Sequence, residues 1–378
     1  MDGTRLEVLL ANTNSEEHTY DGIDWGGERV AQEIAKRVED LEAKGDHVTK
    51  FSITGYSLGG LISRYVIGIL HQQGFFEKIT PVNFNTVATP HLGLLRYDSF
   101  WSSLSHSLGP RLLSRTGEQF YFVDKWSAKG RPLLEVMADP ERVFYQALQT
   151  FKHIRIYGNA INDLTVPYLT ACIELEDPFA DYENTGLTVG YDDQYSPLIR
   201  SWDLPAEPPI FYVSFPVIVP LFFSLVLMRL TMSAHKSRRR IKLLEADPSK
   251  ISSGETLMQV VARLEKDVED AVADMMENPE QSDSDHLEHE GNAQASDDTL
   301  AQANGSVHGS QSKSVARIAP LQRKMAANLN ALPIQKERAF IENVRNSHAV
   351  IISRDVKNFE WHRRGEGVIR HWADSFEL

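Results

Sequence analysis

The residues best suited to chemistry lie at 55–59, Gly-Tyr-Ser-Leu-Gly. The apolar run "KFSIT" precedes them and the amphipathic stretch "LGGLISRYVIGIL" follows. A serine on a tight strand-to-helix turn projects its hydroxyl above the carboxyl end of a sheet, where it can act as a nucleophile. Gly55 and Gly59 are expected to remove Cβ atoms that would collide in such a turn, and Gly60 to let the helix pack close to the strands. Leu58, at the helix N-terminus, would offer its backbone N–H to an oxyanion. The chemistry of that arrangement is acyl transfer through a covalent serine ester. The bland alternative is a glycine-rich turn with no role. The pentapeptide alone is common, and its strand and helix flanks favour the nucleophile.

The surrounding pattern supplies elements that could hold such a turn. Residues 5–11, "RLEVLLA", read as a buried strand. Val30, Ile34, Val38 and Leu41 repeat at helical spacing, with Gly45 as a stop. "HVTKFSITG", "LISRYVIGILHQQG" and "ITPVNFNTVATP" continue as strand, helix and strand. Strand alternating with helix predicts an α/β fold with a mostly parallel sheet. Residues 92–150 are rich in Leu, Ser and aromatics and are broken by Pro and Gly, which suits a lid insert. Sheet character returns at 153–161, and "DPFADYENTGLTVGYDDQY" reads as turns and loop.

Bulk properties narrow the function classes. The chain has 378 residues, a net charge of −13 and a single cysteine, Cys172. The negative balance argues against a nucleic-acid partner, which would need a clustered basic face. One cysteine excludes an intramolecular disulfide framework and fits a reducing compartment. Cys172 itself reads as a buried small hydrophobe.

Two segments interrupt the α/β pattern. Residues 210–228, "IFYVSFPVIVPLFFSLVLM", carry no charge and approach the ~20 apolar residues a bilayer core requires. Residues 279–314 are Ser, Asp, Glu, Gly, Asn and Gln with few large apolar side chains, and read as disordered. The stretch between them is basic at 235–242 and then an amphipathic helical linker, 233–278 in all. Residues 315–378 carry a helical piece near 316–332, strand character in "KERAFIENVRNSHAVIISRD" and a final short helix. The expected organisation is a core at 1–205, a membrane-associated segment at 209–232, the linker, the disordered stretch, and 315–378 completing the core.

Three motifs together, "GYSLGGLISRYVIG", "NTVATPHLG" at 85–93 and "YDGIDWGGERVAQEI" at 20–34, resemble the fungal putative serine esterase/lipase family. The resemblance covers residues 5–200 and about 336–378. It implies the α/β-hydrolase fold, with no cofactor and no metal, and a lipid ester as substrate. It also implies a triad whose serine is followed along the chain by an acid and then a histidine. Asp163 stands in "NDLTVP", where the family has an acid within a similar "ND-x-TVP" pattern; the alternative is an Asx turn capping a loop. Asp177 and Asp181 are weaker substitutes. None of the thirteen histidines lies between Asp163 and the apolar segment, so the base must come from beyond it. His235 falls in the basic cluster, and His286, His289 and His308 in the disordered stretch. His348, before "AVIIS", matches the family's "H-[AN]-x-I" context and is the chosen base, whereas His362 reads as surface and His371 as a final-helix position. Tyr56 and His91 are candidates for substrate-side positions, and a satisfied polar residue at a strand end describes His91 equally well.

This assignment constrains topology. A single crossing at 210–228 would place His348 and Ser57 on opposite sides of a bilayer. Pro216 and Pro220 instead suit a hairpin or kinked monotopic insertion, with "HKSRRRIK" at an anionic surface; a buried core helix is the alternative. The expected location is intracellular and membrane-associated, at the cytosolic face of the endoplasmic reticulum or a lipid droplet. Compared with the family, the chain reads as N-terminally truncated, without the strand and His-Gly loop that donate a second oxyanion N–H. Loss of one such donor costs about 10²–10³ in rate elsewhere, and loss of a strand exposes a sheet edge. A catalytically impaired hydrolase-fold protein and an acyltransferase or depalmitoylase using the same triad are the competing functions.

Overall fold

A computed structural model describes residues 5–14, 16–97, 109–204 and 316–378. Its centre is a six-stranded sheet in the order β1-β2-β4-β8-β6-β5. The strands are β1 (Lys50–Tyr56), β2 (Thr80–Val87), β4 (His153–Asn159), β5 (Thr188–Tyr191), β6 (Leu198–Asp203) and β8 (Ile334–Ala339). β1, β2, β4 and β8 run parallel, and β6 and β5 add antiparallel at one side. The short strands β3 (Arg96–Tyr97) and β7 (Ala316–Arg317) form a separate antiparallel pair.

Strand alternation sorts side chains onto two covered faces. Phe84, Ile154 and Ile156 face a core shared with α2 (Leu58–Gln72) and with the helices Leu133–Met137, Val143–Gln149 and Pro320–Asn330. Val87 and Tyr157 face the other side, against Val350, Ile351 and Val368. Outside α2 lies α1 (Ile23–Glu42), whose Val30, Ala31 and Ile34 pack on Ile62, Val66 and Leu70. Helices on both faces of a mainly parallel sheet match the α/β class that the alternating sequence pattern predicts.

Several expectations need correction. Residues 5–11 form no strand: Leu6, Val8 and Leu10 are each more than 60% exposed. Their apolar character is that of a strand, but a strand requires a backbone neighbour. These residues are tethered instead by side chains to α1 and the turn after it, through Glu7 to Arg37, Asn12 to Glu33 and Arg5 to Asp46. Among the described residues β1 is consequently an edge of the sheet. The stretch read as loop contains β5, whose "TVGY" alternation is too short to stand out before β6 pairs with it. Strand character near 334–353 is confined to β8, and Val350–Ile352 is a single 3-10 turn. Of the region expected as a lid, Leu133, Leu134, Met137 and Leu148 lie deep in the main core, while 98–108 falls outside the described residues. Cys172 is buried and reduced, and burial pushes its thiol up to about 12, as expected of an inert hydrophobe.

The apolar segment 210–228, the linker and the stretch 279–314 lie outside the described residues. Among the described residues no helix is long and apolar enough to cross a membrane.

Burial also leaves an energetic signature. Asp124 accepts the Leu133 backbone N–H at 2.8 Å with one oxygen, and its other oxygen is buried without a hydrogen bond. That burial pushes its carboxyl up to about 6. A carboxyl raised on folding holds its proton more tightly folded than unfolded, so its contribution weakens as pH rises from about 4 to about 6. Asp124→Asn keeps an acceptor for Leu133 and removes the titration. The melting temperature of the variant minus that of the wild type should grow between pH 4 and pH 7, as read by calorimetry; a constant difference would refute this.

Candidate active site

The elbow has the backbone its motif demands. Ser57 adopts φ 52°, ψ −127°, directly before the first residue of α2. This is a costly conformation for a residue with a Cβ, and it persists only when its surroundings impose it. Three hydrogen bonds do so: Ser57 N–H donates to Val87 O (2.9 Å), while Ser57 O accepts from Gly60 N–H (3.1 Å) and Thr89 Oγ1 (3.0 Å).

The glycines divide differently from expectation. A Cβ on Gly55 would lie 2.5 Å from the Gly59 carbonyl oxygen, and one on Gly60 would lie 2.0 Å from Thr89 Oγ1. A Cβ on Gly59 meets nothing within 4 Å. Gly55 and Gly60 therefore allow the turn to close against the helix and against Thr89, while Gly59 faces open space. Leu58 opens α2, where the first backbone N–H groups have no intrahelical acceptor.

The other two candidates arrive from distant segments. Asp163 follows β4 and His348 follows β8, so both emerge, like Ser57, at the carboxyl ends of parallel strands. Ligands of open α/β sheets bind at that end. His348 Nε2 lies 3.0 Å from Ser57 Oγ, and His348 Nδ1 lies 3.0 Å from Asp163 Oδ2. The imidazole and carboxylate side chains are 3% and 1% exposed, so their contact is shielded from water. With Nδ1 protonated, His348 donates to Asp163 and leaves Nε2 to accept the serine proton. Asp163 is also an Asx turn: its Oδ1 accepts the backbone N–H groups of Thr165 (3.0 Å) and Val166 (2.7 Å), and its Oδ2 accepts from Asn159 Nδ2 (2.8 Å). The two readings of "NDLTVP" are compatible, because the turn aims one oxygen inward and leaves the other for the imidazole.

The remaining candidates make neither of these two contacts. His91 is 2% exposed, with Nε2 2.9 Å from Thr86 Oγ1, and burial holds its imidazole well below the usual range. Its burial and its bond to Thr86 fit the description of a satisfied polar residue at a strand end. Tyr56 faces His348, donating from its hydroxyl to the His348 carbonyl at 3.1 Å. Asp177 caps the Phe179 N–H and Asp181 bonds Asn184. His362 is buried rather than on the surface, and its Nδ1 accepts the Asp355 N–H. His371 lies in the last helix, with Nδ1 3.0 Å from the Tyr157 hydroxyl. His235, His286, His289 and His308 lie outside the described residues.

Sequence reasoning missed Thr89, Asn159 and Ser347. Thr89 clamps the elbow, Asn159 bonds Asp163, and the Ser347 hydroxyl donates to Ile161 O (2.8 Å), joining the base loop to the acid loop. Only the position of Thr89 in "NTVATPHLG" carried any signal.

A mainly parallel sheet flanked by helices, with a strained serine turn at its carboxyl edge, fits the α/β-hydrolase class. Residues 2–174 match the family described as "Putative serine esterase (DUF676)". A Schizosaccharomyces pombe protein named a putative lipase is 30% identical over 174 residues, 45% of this chain and 22% of that protein. A Saccharomyces cerevisiae protein, also named a putative lipase, is 29% identical over 199 residues, 52% of this chain and 27% of its own length. The matches thus span about a quarter of these relatives. No solved structure matches the chain.

The glycine geometry makes a direct test. Gly60→Ala should lower the stability of the fold by about 1–3 kcal/mol, through overpacking against Thr89. Gly59→Ala should leave the melting temperature unchanged or raised, since alanine favours a helix and has room here. Equal melting temperatures for the two variants would contradict the assignment.

Proposed function

We propose that this chain is a serine hydrolase that cleaves the carboxylic esters of lipids through an acyl-enzyme on Ser57. The observation that carries the reading is the pair of 3.0 Å contacts linking Ser57, His348 and Asp163. His348 Nε2 takes the hydroxyl proton as Ser57 Oγ bonds to the acyl carbon, and returns it to the leaving alcohol oxygen as the ester bond breaks. Water, deprotonated by the same nitrogen, then releases the acid. Asp163 keeps the imidazole in its working tautomer and balances the transient imidazolium. The Leu58 N–H, at the positive end of α2, is placed for the oxyanion of each tetrahedral intermediate.

Lipid rather than small-ester specificity is supported by the names of the relatives and by the uncharged run at 210–228 beside "HKSRRRIK". On this reading the segment inserts as a hairpin at the cytosolic face of the endoplasmic reticulum or of a lipid droplet, where its substrate lies. The aromatic-rich stretch within 92–150 would cover the acyl chain.

A fluorophosphonate probe tests the chemistry. The full chain should label, and Ser57→Ala should abolish labelling. Asp163→Asn should lower kcat by about 10³–10⁴-fold on a nitrophenyl ester, because it stabilises the wrong imidazole tautomer. Absence of labelling in folded protein would favour the non-catalytic reading, and acyl transfer to alcohols in preference to water the transferase reading. For the membrane arm, deletion of 210–228 should abolish co-flotation with anionic vesicles and leave hydrolysis of a soluble ester intact. Continued flotation would overturn the anchor.

A further inference from the structure

The nucleophile and the base are 291 positions apart in sequence. No ladder joins their strands, since β2 and β4 lie between β1 and β8. The base loop is fastened to the acid loop several times over. Ser347 N–H donates to Asn162 O (2.8 Å), the Ser347 hydroxyl to Ile161 O (2.8 Å), and Asn159 Nδ2 to Ser347 O (3.3 Å). These bonds set His348 relative to Asp163. They do not set it relative to Ser57.

Tyr56 supplies that second relation. It immediately precedes Ser57 on β1, and its hydroxyl donates to the backbone carbonyl of His348 at 3.1 Å. Its ring also lies against the imidazole, with centroids 5.1 Å apart and planes inclined by 36°. An aromatic face within about 6 Å of a cation attracts it, the more so where water is excluded. His348 is neutral before attack and cationic once it takes the serine proton, so the ring favours the state that develops during the reaction. Tyr56 is itself packed, partly buried, against the core cluster that contains Val87, Tyr157, Val350 and Ile351. It is therefore a braced side chain that touches the base from the nucleophile's own strand.

We propose that Tyr56 is the positioning residue that sets the Ser57–His348 contact, its hydroxyl fixing the base loop and its ring stabilising the imidazolium. This rests on the hydrolase reading above, and replaces a substrate-side role for Tyr56. The two parts separate by substitution. Tyr56→Phe removes the hydroxyl and keeps the ring; Tyr56→Leu removes both.

The test measures kcat, KM and the pH profile of kcat/KM on a soluble nitrophenyl ester, with fluorophosphonate labelling in parallel. Tyr56→Phe should lower kcat roughly three- to tenfold with KM little changed and the acid limb in place. Tyr56→Leu should lower kcat by a further few-fold and move the acid limb to lower pH, because the imidazolium has lost a favourable neighbour. A change confined to KM would return Tyr56 to the substrate side and overturn the proposal. So would wild-type kcat and an unmoved limb in Tyr56→Leu. If circular dichroism shows that Tyr56→Leu does not fold, Tyr56→Phe decides alone, and wild-type kcat in that variant overturns the positioning role. Wild-type protein without Ser57-dependent labelling would fell the hydrolase reading and this inference together; labelled wild type with indifferent Tyr56 variants would fell only this inference.

Discussion

The parallel pairing of β4 with β8 is the constraint on which the candidate site depends. Ile154 through Asn159 stand in register with Ile334 through Ala339. That ladder brings the last part of the chain into a sheet begun hundreds of residues earlier, and it does so with the carboxyl end of β8 beside those of β1, β2 and β4. Had β8 entered antiparallel, the loop carrying His348 would leave from the opposite edge, a strand length from Ser57. Charge and hydrogen bonding at the site act only after this topological condition is met.

Once the strand ends converge, two kinds of tension are held in place. Ser57 keeps a left-handed backbone because Val87, Gly60 and Thr89 each take one of its main-chain bonds. His348 and Asp163 keep a polar contact in a nearly dry setting because the second oxygen of Asp163 is satisfied by two backbone N–H groups. A buried carboxylate without such partners would be forced toward its neutral form and could not balance an imidazolium. Arg64 shows the same demand nearby: fully buried on α2, it donates to the carbonyls of His91 and Met137, and burial lowers it to about 10. Those bonds tie the loop that carries Thr89 to the helix that follows Ser57.

Legibility varied with the range of the interaction involved. The α/β alternation through residues 23–87 was plain, because local periodicity and turn residues encode it. The elbow was plain because its glycines and its flanks are contiguous. Asp163 and His348 were reachable through chain order and family resemblance. The role of Tyr56 was not, since its partner is 292 residues away. Nor was the division of labour among the glycines, which depends on where Thr89 happens to pack. Residues 5–11 misled for a related reason: an apolar alternation states that a segment could pair, and Leu6, Val8 and Leu10 remain exposed because no strand among the described residues receives them.

From its sequence alone this protein is an α/β chain with a serine turn, and a preferred order of nucleophile, acid and base. Those features are written in neighbouring residues, whose spacing sets local backbone geometry. Whether the three side chains meet was decided only by the tertiary structure. Distances near 3.0 Å between Ser57, His348 and Asp163 depend on strand order, register and loop anchoring across almost the whole chain. Such long-range closure is specified by packing and by the pairing of backbone groups, and neither leaves a mark in the spacing of adjacent residues.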